Sequence, residues 1–171
     1  MDVISNWKEV KDLFKRSFMS SFHFAVATVT ESGEPHVTPI GSLILGKAGH
    51  GFYFEEFTRH LPKNYRANMN ICVLAVNSSR WFWLKSLFGG HFSRPPAVRL
   101  HGMVGKLREA SEKEIEVWRK RVRPVSFSKG HELMWANMKM VREIEFSRIE
   151  PVHLGEMTRD TWMNSSTVKN D

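Results

Sequence analysis

The chain has 171 residues, of which 42% are hydrophobic and 25% are charged, and its formal net charge is +7. Such a composition is typical of one folded domain over 1–171 and excludes a globally disordered chain. No apolar run approaches the roughly 18 residues of a membrane span, and the N-terminal residues lack a signal-peptide core. Cys72 is the single cysteine, so we expect a cytoplasmic protein without internal disulfides.

The first half of the chain predicts a helix followed by a series of strands. Apolar side chains at Trp7, Phe14 and Phe18 share one face of a helix over about 6–20, and Asn6 with Glu9 has capping-box spacing. A short helix is expected over about 63–70, after Pro62. Alternating or continuous apolar runs predict four strands, at 24–30, 36–45, 52–57 and 71–77.

The second half begins with an aromatic insertion over 78–96, which breaks the strand pattern. A capping box at Ser111 and Glu114 predicts a helix that ends near Arg123, and a further amphipathic helix is predicted over 131–142. The polar tail from about 164 is expected to fray. Two more strands are predicted, at 97–107 and 144–154. The consecutive strands therefore favour a mainly β protein, an antiparallel barrel of about six strands with flanking helices.

Arg59, His60 and Lys63 form a compact group of basic residues. Arginine offers a planar fork of donors and lysine a mobile point charge, and both are suited to a phosphate monoester. If the stretch turns helically, Arg59 and Lys63 share a face. A solvated loop before a helix would have the same residues, so the sequence is compatible with either a phosphate site or a solvated loop.

The segment Thr38, Pro39, Ile40 and Gly41 interrupts a predicted strand with a proline and a glycine. Backbone groups that no neighbouring strand uses are expected here, and a planar heterocycle with alternating donors and acceptors would use them. An edge strand with a bulge has the same composition. Together with the basic residues, this segment points to a ligand with a flat apolar body and an anionic tail.

These motifs, in this order, resemble the pyridoxamine 5′-phosphate oxidase-like superfamily of FMN-binding split barrels. The resemblance covers about 20–155. It is carried by Val37-Thr38-Pro39-Ile40-Gly41, Phe52-Tyr53-Phe54, Arg59 with Lys63, Asn70-Ile71-Cys72-Val73, Val98-Arg99-Leu100-His101-Gly102 and Arg148-Ile149-Glu150-Pro151.

The resemblance implies an antiparallel split β-barrel that binds FMN at the interface of a homodimer. Arg59 and Lys63, assisted by His60, would then hold the phosphate. Arg99 would supply positive charge near the flavin, and no catalytic residue is assigned. Two further sets follow from the same resemblance. The isoalloxazine edge would be lined by Thr38, Pro39, Ile40 and Gly41, and the ring or ribityl chain would rest on Tyr53, Phe54 and Glu55.

The function implied is that of a flavin oxidoreductase acting with a small-molecule electron donor or acceptor. Alternatives are a non-catalytic FMN carrier or sensor, and a haem- or deazaflavin-binding protein on the same barrel. The basic run 119–123 ends a predicted helix, where cations favour the helix dipole, so no nucleic-acid partner is expected. The aromatic insertion is expected to pack in the dimer interface rather than on a membrane. The histidines are scattered singly, so no metal site is expected.

Overall fold

The computed structural model describes residues 1–56, 58–127, 129 and 138–161. Its seven strands form one antiparallel sheet in the order β2-β1-β5-β6-β7-β4-β3, with four α-helices around it. The strands are β1 (Phe24–Val29), β2 (Pro35–Ile40), β3 (Ile44–Leu45), β4 (His50–Phe54), β5 (Asn70–Val76), β6 (Ala97–Glu109) and β7 (Met140–Pro151). The helices are α1 (Trp7–Ser21), α2 (Leu61–Ala67), α3 (Arg80–Gly89) and α4 (Glu112–Val122).

The barrel core comes from the inward side chains of adjacent strands. Strand residues alternate between the two faces, and every second residue of β1 and β5 is buried. Val26, Val73, Leu100 and Ile149 are at most 1% exposed and lie on β1, β5, β6 and β7. Helix α1 covers one opening with its apolar stripe, and the Ser17 hydroxyl accepts a bond from the Val76 N–H (3.1 Å). A mainly β split barrel is therefore confirmed.

The predicted strand 36–45 is two strands, which raises the count from about six to seven. After β2 the chain leaves one edge of the sheet at Gly41 and starts β3 at the opposite edge. A Cβ on Gly41 would lie 2.9 Å from the Phe22 carbonyl oxygen, so only glycine fits this close approach. The Ser42 hydroxyl stabilises the crossing, because it donates to the Phe54 carbonyl and accepts from the Phe54 N–H, both at 3.1 Å.

One local prediction is wrong, and two others fall wholly or mostly outside the described residues. The Asn6 side chain does not cap α1, because its amide donates to the Asp2 carbonyl instead, whereas the capping box of Ser111 and Glu114 is present. Most of the helix predicted over 131–142 lies outside the described residues, and its last part, from Met140, belongs to β7. The tail from 164 also lies outside them.

The aromatic insertion contains a helix that the sequence pattern did not reveal. Helix α3 is apolar on both of its faces, so no 3.6-residue alternation distinguishes it from a loop. Among the described helices, none combines the length and apolarity needed to cross a membrane.

Candidate functional site

A cleft of about 490 Å³ opens beside the edge strand β2. Residues 36–42 of β2 and the following turn form one wall, residues 58–61 form the facing wall, and Phe54 reaches it from β4. This volume falls within the ~300–1,000 Å³ range of small-molecule sites in proteins. The cleft is the place where the sequence predicted a ligand.

Strand β2 presents one free backbone edge to this cleft. Among the described strands it pairs only with β1, from Phe24 opposite Ile40 to Val29 opposite Pro35, and it is the first strand of the sheet. Pro39 carries no N–H, so an edge position costs the sheet no ladder bond. The expected edge position of this segment is therefore confirmed, but its register with β1 is continuous and shows no bulge. Its unpaired edge leaves backbone groups available to a ligand.

The facing wall brings basic side chains together. Arg59 and His60 are exposed and line the cleft, and the His60 ring lies 5.3 Å from the ring of His36 on β2. Lys63 is exposed on the first turn of α2. In the part of the chain that the structure describes, Arg59, His60 and Lys63 form no ion pair. The positive charges of Arg59 and Lys63 are therefore available to an anion.

The cleft is apolar below these side chains. Ile40, Phe54 and Leu61 line the cleft and are 5%, 2% and 0% exposed, so the layer beneath the basic side chains is buried and apolar. The Thr58 hydroxyl oxygen is buried and has no hydrogen-bond partner among the described residues. An unsatisfied buried hydroxyl costs stability, so an oxygen or nitrogen atom of a ligand would be favoured next to Thr58.

A buried polar network lies behind the facing wall. The Glu55 side chain is 3% exposed, and its carboxylate accepts two hydrogen bonds from Arg142. Arg142 Nε donates to Oε2, and Nη2 donates to Oε1 at 2.7 Å. The Tyr53 hydroxyl donates to Glu55 Oε2 (2.5 Å) and lies 3.2 Å from the Tyr65 hydroxyl on α2. The network thus ties β4 and β7 to the helix that follows Arg59.

The network holds its two phenols in the protonated form. Burial raises the pKa of Tyr65 to about 12, and burial also raises the pKa of Tyr53, with the Tyr65 and Glu55 charges adding to the effect. Bonding to Glu55 raises the pKa of Arg142. Both phenols therefore stay protonated near neutral pH, and the network holds the segment before α2 through hydrogen bonds.

The structure brings together seven of the eleven predicted site residues and separates the other four. Tyr53 points into the barrel core while Phe54 faces the cleft, because successive strand residues point to opposite sides. Glu55 is engaged by Arg142, and Lys63 lies on α2 beyond the wall. The seven predicted residues that do line the cleft are Thr38, Pro39, Ile40, Gly41, Phe54, Arg59 and His60.

Arg99 lies on the outer face of the sheet, away from the cleft. Across the sheet, Arg99 on β6 is paired with Leu74 on β5, Leu74 with Ala25 on β1, and Ala25 with Pro39 on β2. Three strand spacings, or roughly 14 Å, therefore separate Arg99 from Pro39. Its guanidinium donates to Glu150 Oε1 (2.9 Å), and His101 lies 2.9 Å from Oε2 of the same carboxylate. Within one chain, Arg99 and the cleft are therefore separate.

Sequence reasoning missed several cleft residues and the network. His36 and Thr58 directly flank the predicted segments in the sequence, and that adjacency was the signal that could have identified them. Arg142 is 87 residues from Glu55, and nothing in either local pattern connects them. The described residues contain no group of three His, Cys, Asp or Glu side chains arranged to hold a metal ion.

These features define a class, the split β-barrel with a basic and apolar cleft at its open edge. The sequence profile described as pyridoxamine 5′-phosphate oxidase matches residues 8–153. The chain belongs to this family, and the resemblance predicted from the sequence is confirmed. No curated protein matches the chain significantly.

Solved structures share the fold at low identity. HupZ of group A Streptococcus is 20% identical, with a TM-score of 0.55 over 85% of this chain and 92% of its own. An FMN-binding protein of Syntrophomonas wolfei is 12% identical, with a TM-score of 0.56 over 87% and 93%. HutZ, a haem storage protein of Vibrio cholerae, is 15% identical, with a TM-score of 0.51 over 84% and 92%. At these identities, the likeness establishes the split barrel alone.

Proposed function

We propose that the chain is an FMN-binding flavoprotein and an oxidoreductase. The observation that carries the proposal is the pairing, in one cleft, of uncompensated cations with an apolar floor beside a free strand edge. FMN combines a flat apolar ring system with a terminal phosphate, and each part has a matching surface here. Family membership supports the same cofactor.

The residues of the cleft fit FMN as follows. Arg59 and His60 line the cleft and would hold the phosphate, and Lys63, on the first turn of α2 outside the lining, would reach toward it with its mobile ammonium. The backbone of Thr38–Gly41 would bond the polar edge of the ring system. Phe54 would contact its apolar face, and the Thr58 hydroxyl would gain the partner that it lacks.

FMN, when bound, supplies the transfer of electrons between a small-molecule donor and an acceptor. The residues of this chain bind and orient it, and the buried floor excludes water from one side. The Glu55–Arg142 network fixes α2 and the preceding segment, so the cationic wall is preorganised. A positive group near the flavin stabilises negative charge that develops on reduction.

We propose further that the protein is a cytoplasmic homodimer. Arg99 shares the outer face of the sheet with Pro39, so it is the candidate cation contributed at a subunit interface. This assignment follows the resemblance, which implies FMN at the interface of two copies. No general base is needed for electron transfer to or from the flavin, and none is assigned.

The test is an FMN titration of the wild-type protein and of the double variant Arg59→Ala/Lys63→Ala. Charged hydrogen bonds contribute about 1.5–3 kcal/mol each, so a loss of affinity of roughly 10²-fold or more is expected. The control is Lys113→Ala/Arg119→Ala, which removes two exposed cations from α4 and lowers the net charge equally. Wild-type affinity in a folded Arg59→Ala/Lys63→Ala protein would exclude this phosphate site.

The absorption spectrum of the protein, recorded after adding FMN and removing the excess, separates the other candidates. Retained oxidised-flavin bands support the proposal, and turnover with NADH or NADPH and an acceptor then separates an enzyme from an electron carrier. A Soret band from the purified protein would instead indicate haem. The absence of any retained chromophore would contradict cofactor binding.

A further inference from the structure

Helix α3 has an inner apolar face that the protein itself covers. Ser86 is 4% exposed, and the rings of Phe82 and Trp83 lie 5.5 and 5.2 Å from the ring of Phe92. The Trp83 indole N–H donates to the Asn77 carbonyl at 2.7 Å. The inner face is thus fully accounted for by packing and hydrogen bonding within the chain.

The outer face of α3 is also apolar, and the described chain leaves it uncovered. Trp81 is 82% exposed and Phe88 is 91% exposed, while Leu84 and Leu87 are 45% and 59% exposed. Trp81, Leu84 and Phe88 follow the i, i+3, i+7 spacing of one helix face, and Leu87 borders them. Contiguous apolar patches of this kind mark interaction sites, because exposing them to water costs free energy.

The surroundings of this face are basic. Arg80 and Lys85 are exposed on α3 itself, and Arg94 is exposed just beyond it. Next to α3, a groove shared with α1 contains two more cations and one acid, Lys15, Arg16 and Asp12. The face therefore combines large apolar side chains with an excess of positive charge.

We propose that the outer face of α3 docks on an anionic lipid surface. Trp and Phe at the centre with Lys and Arg at the rim is the composition of a helix that lies in a membrane interface. Ten residues span about 15 Å, so α3 would lie flat and not cross the bilayer. The proposed peripheral contact differs from the sequence-based expectation that the aromatic insertion packs in a dimer interface rather than on a membrane.

The composition of the outer face of α3 argues against two other binding partners. A second copy docked symmetrically through α3 would bring two basic rims together, and like charges repel across such a contact. A single-stranded nucleic acid would use the aromatic rings for stacking, but Leu84 and Leu87 offer no stacking surface. An anionic lipid surface uses both the leucines and the cations.

The experiment is co-sedimentation of the FMN-loaded protein with phosphatidylcholine vesicles that contain or lack phosphatidylserine. We expect binding that requires phosphatidylserine and weakens as salt is added. Trp81→Ser/Phe88→Ser should reduce binding on the order of tenfold or more, because it removes the largest inserted side chains. The matched control is Ile4→Ser/Phe127→Ser, which alters side chains that are 75% and 89% exposed elsewhere and should bind as wild type.

Three results would overturn the proposal. The first is equal binding to both vesicle types, or no binding to either. The second is unchanged binding by Trp81→Ser/Phe88→Ser when its flavin absorption matches that of the wild type. The third is that the wild-type protein does not bind vesicles but self-associates or binds a uridine oligonucleotide, and that Trp81→Ser/Phe88→Ser abolishes this association. Flavin absorption reports independently on the cleft, so failure here is distinguishable from failure of the FMN assignment.

Discussion

Thr58 shows what a single side chain contributes to the cleft. Its hydroxyl is buried between Phe54 and Arg59 in the lining and has no partner among the described residues. A buried hydroxyl without a partner costs about 1–3 kcal/mol, and folding tolerates that cost where a ligand removes it. If the proposed ligand supplies that partner, Thr58 lowers the stability of the free protein and raises the affinity for the ligand.

Replacing Thr58 by valine separates these two effects. We expect Thr58→Val to unfold at the same or higher denaturant concentration than the wild type when FMN is absent. Its affinity for FMN should fall about 2- to 12-fold, the equivalent of one neutral hydrogen bond of roughly 0.5–1.5 kcal/mol.

The measurements are equilibrium unfolding without FMN and a fluorescence titration with FMN. Thr58→Ser keeps the hydroxyl and serves as the control, so it should retain most of the affinity. Unchanged FMN affinity in Thr58→Val would show that the hydroxyl does not contact the cofactor.

At this scale, sequence predicted what lies close together along the chain. Arg59 and His60 are adjacent and Thr38–Gly41 are consecutive, so their residue types alone indicated a binding segment. Whether a side chain faces the cleft or the core depends on strand register. Strand register places Tyr53 and Phe54 on opposite faces of β4, and register cannot be predicted from residue composition.

The pairing of β6 with β7 depends on one close approach between elements. A Cβ on Gly102 would lie 2.2 Å from the Glu145 carbonyl oxygen and 2.9 Å from the Phe146 Cα, beside a shift in strand register. Both atoms belong to the backbone, which cannot yield without separating the strands. Glycine at this position is therefore a requirement of the ladder.

We expect Gly102→Ala to lower the free energy of unfolding by about 2 kcal/mol or more, since the added methyl overpacks a backbone contact. Gly46→Ala is the matched control, because its Cβ would lie 3.6 Å from the nearest atom, the His50 carbonyl oxygen. That variant should remain within about 0.5 kcal/mol of the wild type. Denaturant unfolding of both variants gives the comparison, and equal midpoints would contradict the steric argument.

Elements with a clear period were predicted well, and elements without one were missed. Helix α1 and α4 each have one apolar face, so their existence follows from sequence spacing. Helix α3 has apolar residues all round and was predicted only as an aromatic insertion. The break between β2 and β3 also escaped, because it reflects the closing of the sheet rather than a local preference.

The outer face of the sheet connects the cleft to Arg99 across the whole molecule. Ala25 and Leu74 lie between Pro39 and Arg99 in one register row, and both are partly exposed. Their neighbours along β1, Phe24 and Val26, point into the core, so this row points outward. If the protein is a homodimer with FMN at its interface, this face is where a second copy would cover the cofactor.

Leu74→Glu tests that arrangement, because a buried carboxylate in a subunit contact is strongly unfavourable. We expect a shift from dimer to monomer, measured by sedimentation equilibrium, together with weaker FMN binding. Leu107→Glu is the control, since Leu107 is 43% exposed and lies eight residues from Arg99 along β6. A Leu74→Glu protein that remains dimeric would place the subunit contact elsewhere.

The order of the strands also has a kinetic consequence. The contact between Glu55 and Arg142 joins residues 87 positions apart, whereas β1 and β2 form a local hairpin. Long loops are closed late, because their entropy must be lost before the contact is gained. We therefore expect the wall that includes Phe54 and Thr58 to be completed late in folding. A ligand held by that wall would mainly lower the rate of unfolding and would have little effect on the rate of folding.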